Sequence, residues 1–352
     1  MILPHTYLAS LLVGIVSTLC LALWASTYKA ASKWRFELYY LDFVFGLVLA
    51  AAIFAFTVGN LGFDGFSFID DLMHAGKREW VDGFVAGILF NFANMLIMAS
   101  VAVTGMSLAF PVSMGLGLVV GLTFHEVMHK SAGAGPLFAG CGLLLAAVFA
   151  AVTAFNSALS DRRLQEMAKA ANTAKTKSTS QPVSLQGAIL SIVSGFVMGL
   201  SYPLIDAARV ADVGMGPYSL LAMFALGAFA STFVLNLFFM NLPVQGDPIE
   251  VTAFFKGTLR QHLLGLLGGA IWCSGVLGAF VIWATPPEAQ TSAAVAYAVP
   301  MAAPLLAALW GFSVCGEFKG AGGGARAKFF AMLVLFAAGI AAVSIGALNS
   351  RH

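Results

Sequence analysis

Apolar residues fill the chain in runs of roughly 20 positions, the length at which a helix rising about 1.5 Å per residue crosses a bilayer. Ten such runs are predicted to span, at about 7–27, 38–58, 82–103, 106–124, 134–156, 185–205, 217–240, 262–284, 292–313 and 327–348. The one long interruption is 161–181, DRRLQEMAKAANTAKTKSTSQ. Its Ser, Thr, Ala and Lys residues bury too little surface to offset the entropy of ordering, so it is predicted to be a flexible linker. It divides the chain into a five-helix unit at 1–160, the linker at 161–181 and a second five-helix unit at 182–352. The fold class predicted is an all-α integral membrane protein of ten transmembrane helices.

The two units echo one another. Ile15-Val16-Ser17 recurs as Ile192-Val193-Ser194, and at the same offset Leu23 meets Leu200 and Ala30-Ala31 meets Ala207-Ala208. Gly83 and Gly87 of the third run correspond to Gly265 and Gly269 of the eighth, with Phe90 opposite Trp272. The fourth and ninth runs end alike, at His125-Glu126 and Gly316-Glu317. An odd number of spans per unit gives the copies opposite orientations, so inverted repeats are expected. Transporters built this way hold solute at the repeat interface near the midplane. The Gly-x-x-x-Gly pairs also suit close helix packing, with or without a sliding role.

Composition agrees. The chain is 60% hydrophobic and 10% charged, where soluble domains carry roughly a quarter charged residues. A net charge of +2 gives no sign of a nucleic-acid partner. Cys20, Cys141, Cys273 and Cys315 all sit in apolar stretches and predict no disulfide framework. MILPHTYL lacks the basic start of a cleaved signal peptide. Cytoplasmic loops carry the excess of Lys and Arg. With the N-terminus outside, the inner loops hold Lys29, Lys33, Arg35, Lys256, Arg260, Lys319, Arg326, Lys328 and the linker cations. The outer side keeps Lys77, Arg78, Lys130, Arg209 and Arg351. Both termini are therefore expected outside and the linker in the cytoplasm.

Polar groups inside spans are the functional candidates, because burying them in lipid costs several kcal/mol. Asn91 and Asn94 share a helical face and predict either an interhelical hydrogen bond or recognition of a polar, neutral solute. Trp24, Trp272 and Tyr297 can stack on a ring or sugar face, though Trp24 equally suits an interfacial anchor. Pro111, Pro300 and Pro304 interrupt the fourth and ninth spans, and such breaks line cavities. Asp42 is the acid closest to an apolar core. It is expected either to carry a coupled proton or to pair with Arg35 or Lys29. Glu126 and Glu317 are expected to form helix-end salt bridges with Lys130 and Lys319.

One motif points to another class. His125-Glu126-Val127-Met128-His129 fits H-E-x-x-H, the zinc-hydrolase pattern with Glu as general base. It ends a span rather than sitting within one, and the Asp-Gly pairs at 64–65 and 82–83 lie upstream of it. A zinc intramembrane protease is the lesser reading. No metal or other cofactor is assigned.

Leu23-Trp24, a basic loop and Tyr40-Leu41-Asp42-Phe43 resemble the Thr-Trp-Pro, basic loop and Tyr-Leu-Asp-Tyr of ureide permeases. Gly59-Asn60-Leu61-Gly62, the outer loop ending at Trp80, and Ala93-Asn94 also resemble that family. So do Ala298-Val299-Pro300, Pro304, Trp310-Gly311 and Gly316-Glu317-Phe318. The chain thus resembles the drug/metabolite transporter superfamily, and within it the ureide permease and glucose/ribose porter branches. The resemblance implies ten helices in two inverted five-helix repeats. A short linker, Ala25 after Trp24, and Trp272 in place of a small or amide residue depart from the permease pattern and bear on the solute.

The expected function is a proton-coupled secondary transporter of a small polar metabolite, a ureide, nucleobase or sugar, in the cell membrane. An exporter of amphipathic metabolites or drugs is the alternative. The expected partners are the solute, the bilayer and a second copy in a homodimer. Candidate solute contacts are Trp24, Asn91, Asn94, Trp272, Tyr297 and Pro304, with Asp42 as coupling residue.

Overall fold

The computed structural model describes residues 1–129, 135–171, 183–286, 289 and 298–349. Its helices are α1 (Tyr7–Leu23), α2 (Ser26–Ala30), α3 (Phe36–Phe56), α4 (Phe68–His74), α5 (Lys77–Thr104) and α6 (Met106–His129). There follow α7 (Gly135–Ala171), α8 (Val183–Val210), α9 (Pro217–Asn241), α10 (Leu259–Ala284), α11 (Ala303–Ser313) and α12 (Gly323–Asn349). No strand occurs among the described residues. Eight helices are long and apolar enough to cross a membrane: α3, α5, α6, α7, α8, α9, α10 and α12. The first and ninth predicted spans correspond to shorter apolar helices, Tyr7–Leu23 and Ala298–Ser313.

Local signals set the ends. Thr258 and Gln261 form a reciprocal capping box that starts α10, and Pro217 opens α9 where its missing N–H is no loss. Gly105 turns the chain between α5 and α6 at φ 96°, with the Glu317 carboxylate where a side chain would stand. The first part of the expected flexible linker is helical instead: α7 continues to Ala171. Asp161 Oδ2 accepts from Gly322 N at 2.8 Å, Arg162 Nε donates to Lys319 O at 3.1 Å, and Gln165 donates to Gly320 O at 2.9 Å. Leu164 to Ala168 are good helix formers, so these ties extend a helix already under way. The remainder of the linker, from 172, lies outside the described residues.

Two seams bring backbones together. Between α3 and α10, a Cβ added at Gly46 would collide with Leu266 O, and one at Gly269 with Phe43 O. Between α5 and α9, a Cβ at Gly227 would collide with Phe84 O, and one at Gly87 with Phe224 O. Glycine at these places admits the close approach on which helix association in lipid depends. Away from both seams, α7 and α12 pack along each other and form a second core around Leu144, Ala147, Phe329, Met332 and Phe336.

Candidate functional site

A cavity of about 200 Å³ opens between α6, α8, α10 and α11. Its floor is Phe90, Phe224 and Val276, and its walls include Met114, Leu118, Met198, Tyr202, Phe280 and Pro304. Pro203 lies within α8 beside this wall, and Gly121 of α6 leaves room for the Tyr202 ring. Its mouth is polar. Arg209 Nη2 donates to Asp206 Oδ1 at 2.8 Å, His125 Nδ1 lies 3.7 Å from Asp206 Oδ2, and the Arg209 guanidinium sits 5.4 Å over the Trp283 ring. His125 and Met128 are exposed there, so the cavity opens at this end. A guanidinium desolvated against an indole face is worth about 1–2 kcal/mol, enough to hold Arg209 at the rim.

Rings continue beneath the floor. Phe224 stacks on Trp272 at 6.2 Å, Phe90 meets Trp272 at 5.6 Å, and Trp272 meets Phe43 at 5.9 Å. Trp24 packs on Phe43 at 5.1 Å and Phe110 at 6.0 Å. Both Trp24 and Trp272 are buried in this column, one ring or more away from the cavity. Asn94 Nδ2 donates to Tyr40 OH at 3.1 Å, and Tyr40 OH donates to Asn91 Oδ1 at 2.9 Å. Asn91 Nδ2 reaches Ser231 and Thr232 at 2.9 and 3.0 Å. The two asparagines therefore join α3, α5 and α9 through one buried network. Of the expected solute contacts, Pro304 lines the cavity, while Trp24, Asn91, Asn94 and Trp272 stand behind it. Tyr297 lies outside the described residues.

The opposite end is shut. Lys29 Nζ pairs with Glu317 Oε1, and Glu317 also accepts from Met106 N at 2.8 Å and Ser107 N at 2.7 Å. A carboxylate across the exposed N–H groups at the start of α6 is favoured by the helix dipole. Arg162 donates to the Glu317 carbonyl, adding α7 to the closure. Nearby, Asp42 takes both its hydrogen bonds from His262 Nδ1, at 3.0 and 2.9 Å. The expected pairings differ here. Arg35 bonds Glu37 at 2.6 Å and Lys29 bonds Glu317, which leaves neither for Asp42. Glu317 takes Lys29 rather than the expected Lys319 as its cation. The expected partner of Glu126, Lys130, lies outside the described residues, as does the side chain of His129.

His262, Asp206, Arg209 and Trp283 were absent from the sequence candidates. A signal existed for His262: it shares a face with Gly265 and Gly269, three and seven positions on. Asp206 and Arg209 had one too, an acid and a base three apart at the end of an apolar run.

A ureide permease family model matches residues 39–204. Ureide permease 4 of Arabidopsis thaliana is 24% identical, with 96% of each chain covered. Ureide permeases 1 and 2 of the same plant are 22% and 24% identical, with 89% of each chain covered. A solved protein crystal structure aligns with a TM-score of 0.51 at 16% identity, over 97% of this chain and 98% of that one, and bears on the fold alone. By these matches the chain is similar to membrane permeases. It is a transporter and not an enzyme.

Proposed function

We propose that this transmembrane transporter of small polar metabolites carries a ureide or a similar nucleobase or sugar, driven by a proton gradient in the cell membrane. The observation that carries the reading is the single-ended cavity, open at His125–Asp206–Arg209 and shut at Lys29–Glu317. A carrier stopped with one end open has this shape. Planar N–H-bearing solutes suit the flat rings Phe90 and Phe224 below and the Asp206 carboxylate above. Trp272, Trp24 and the Tyr40–Asn91–Asn94 network support that floor from behind, and Asp42 takes the coupling role. The mostly apolar wall favours, as second reading, an exporter of amphipathic compounds.

The proposal extends to architecture. The units 1–160 and 182–352, joined by a cytoplasmic linker at 161–181, form two inverted repeats of five spans within the drug/metabolite transporter superfamily. The matched seam glycines, Gly46 with Gly227 and Gly87 with Gly269, support this. Both termini lie outside, and two copies form a homodimer. Labelling of a cysteine at Ser67 only from outside, and cross-linking of purified protein into dimers, check these two points.

Uptake of radiolabelled allantoin, uracil and glucose into proteoliposomes, with and without an imposed pH gradient, tests the function. Accumulation of allantoin or uracil above the outside level, abolished by Phe224→Ala, is expected. Saturable efflux of a detergent-like dye, with none of the three taken up, would favour the exporter.

A further inference from the structure

We propose that Asp42 and His262 together form the proton-binding site of this transporter, with the exchangeable proton on Nε2 of His262. The inference rests on the proton-coupled reading above and deepens it. His262 Nδ1 sits 2.9 and 3.0 Å from the two Asp42 oxygens. A neutral imidazole has only one N–H. A ring that keeps this contact in both protonation states must therefore hold its Nδ1 hydrogen toward Asp42. Gain and loss then fall on Nε2. With that proton bound, the unit is an ion pair of no net charge; after it leaves, the unit carries one negative charge.

The location makes that charge consequential. Asp42 is buried, and its Cβ lies where a side chain on Gly265 would stand, within the α3–α10 seam. Trp34 and Phe254 close on the His262 ring at 5.6 and 4.7 Å, edge to face. An uncompensated charge between packed helices is costly, and the cost is relieved by admitting water, which means parting α3 from α10. The seam is backbone against backbone at Gly46 and Gly269, so few side chains can rearrange to relieve the charge with the helices still in contact. Beyond the seam the same helix carries Val276, Ala279, Phe280 and Trp283 into the cavity wall. One helix thus joins the proton site to the solute site.

Other charges around the pair are engaged or peripheral. The titratable and charged groups on the surrounding elements are Tyr28 and Lys29 of α2, Lys33 and Arg35 of the loop before α3, Glu37, Tyr39 and Tyr40 of α3, Glu250 and Lys256 of the turn before α10, and Arg260 and Cys273 of α10; Lys29 is held by Glu317. Arg35 is held by Glu37 at 2.6 Å, and Tyr39 shares its hydroxyl with Thr27 at 2.6 Å. The second His–Asp contact, His125–Asp206, shares its carboxylate with Arg209 at the open mouth and sits in no seam.

The test uses full-length protein in two measurements. In detergent, pH-difference infrared spectra between pH values of about 5 and 8 should show an imidazole signal that disappears in His262→Gln and is altered in Asp42→Asn, which removes the paired charge. In proteoliposomes loaded with allantoin, both variants should keep counterflow exchange. Both should lose the accumulation, about tenfold per pH unit for one proton per solute, that the gradient drives in the unaltered protein. A His262 ring that does not titrate, or a His262→Gln variant that still accumulates solute, overturns the proposal. Loss of counterflow in both variants, with normal melting, also overturns it, since the pair would then serve solute binding. A titrating ring with no solute transport in the unaltered protein refutes the transport reading and leaves the proton site standing.

Discussion

The α3–α10 and α5–α9 seams are built alike at the backbone and unlike at the side chains. Each has two glycines pressed on opposing carbonyls, Gly46 and Gly269 in one, Gly227 and Gly87 in the other. One turn before Gly269, Gly265 meets Asp42; one turn before Gly87, Gly83 meets Met215, Leu220 and Met223. The α5–α9 seam, which has no charged pair at the matching turn, shows that this contact needs no charge to form. The Asp42–His262 pair is therefore surplus to packing, and a group retained without a packing need in a lipid-facing fold points to function. The contact is shared; only one copy of it carries the proposed proton site.

The largest effects come from breaking both seams equally. Gly269→Ala and Gly87→Ala should each cost about 3 kcal/mol or prevent folding, because the added carbon meets a backbone oxygen that cannot swing aside. Thermal unfolding in detergent reads this. A tolerated Gly87→Ala beside a ruinous Gly269→Ala would end the equivalence of the two contacts.

Removing the charge from one seam sharpens the comparison. His262→Leu alone should lose about 2–3 kcal/mol by leaving Asp42 buried without its partner, while Asp42→Leu with His262→Leu should fall within about 1 kcal/mol of the native protein. The same melting curves decide it. A double variant as unstable as the single one would make the pair structural.

A smaller effect is expected at the shut end. Glu317→Gln weakens the hold on Lys29 and on the start of α6, and about 1 kcal/mol of easier opening corresponds to about fivefold faster maleimide labelling of Cys315. Unchanged labelling would mean that Arg162 and the backbone keep that end shut without the ion pair. The smallest is Asn94→Leu, which removes one donor to Tyr40. It should cost about 0.6 kcal/mol, at most about threefold in solute affinity by equilibrium binding.

Eight of the ten predicted spans were legible because lipid demands long apolar runs, while the first and ninth runs meet shorter apolar helices. The glycine pairs at 83/87 and 265/269 were legible as packing faces for the same reason. Pairing between charges was not. Asp42 was given Arg35 or Lys29 by nearness along the chain, whereas its partner His262 lies far along it and arrives through the seam. Glu317 likewise takes its cation from α2. The cavity was half legible. Pro304 was singled out as a helix break, yet Asp206 was passed over and Arg209 counted only as an outer-side cation, because it is α6 and α10 that place His125 and Trp283 against them.

Among the described residues, α7 and α12 supply no side chain to the cavity and pair chiefly with one another. For evolution this separates two kinds of drift. Substitutions on that outlying pair can tune how the protein sits among lipids or beside a neighbour without touching what it carries. Changes of cargo, by contrast, must be written into the helices that line the cavity, α5 and α9 at its floor and α6, α8, α10 and α11 around it. A lineage could thus change its membrane company and its cargo on independent clocks.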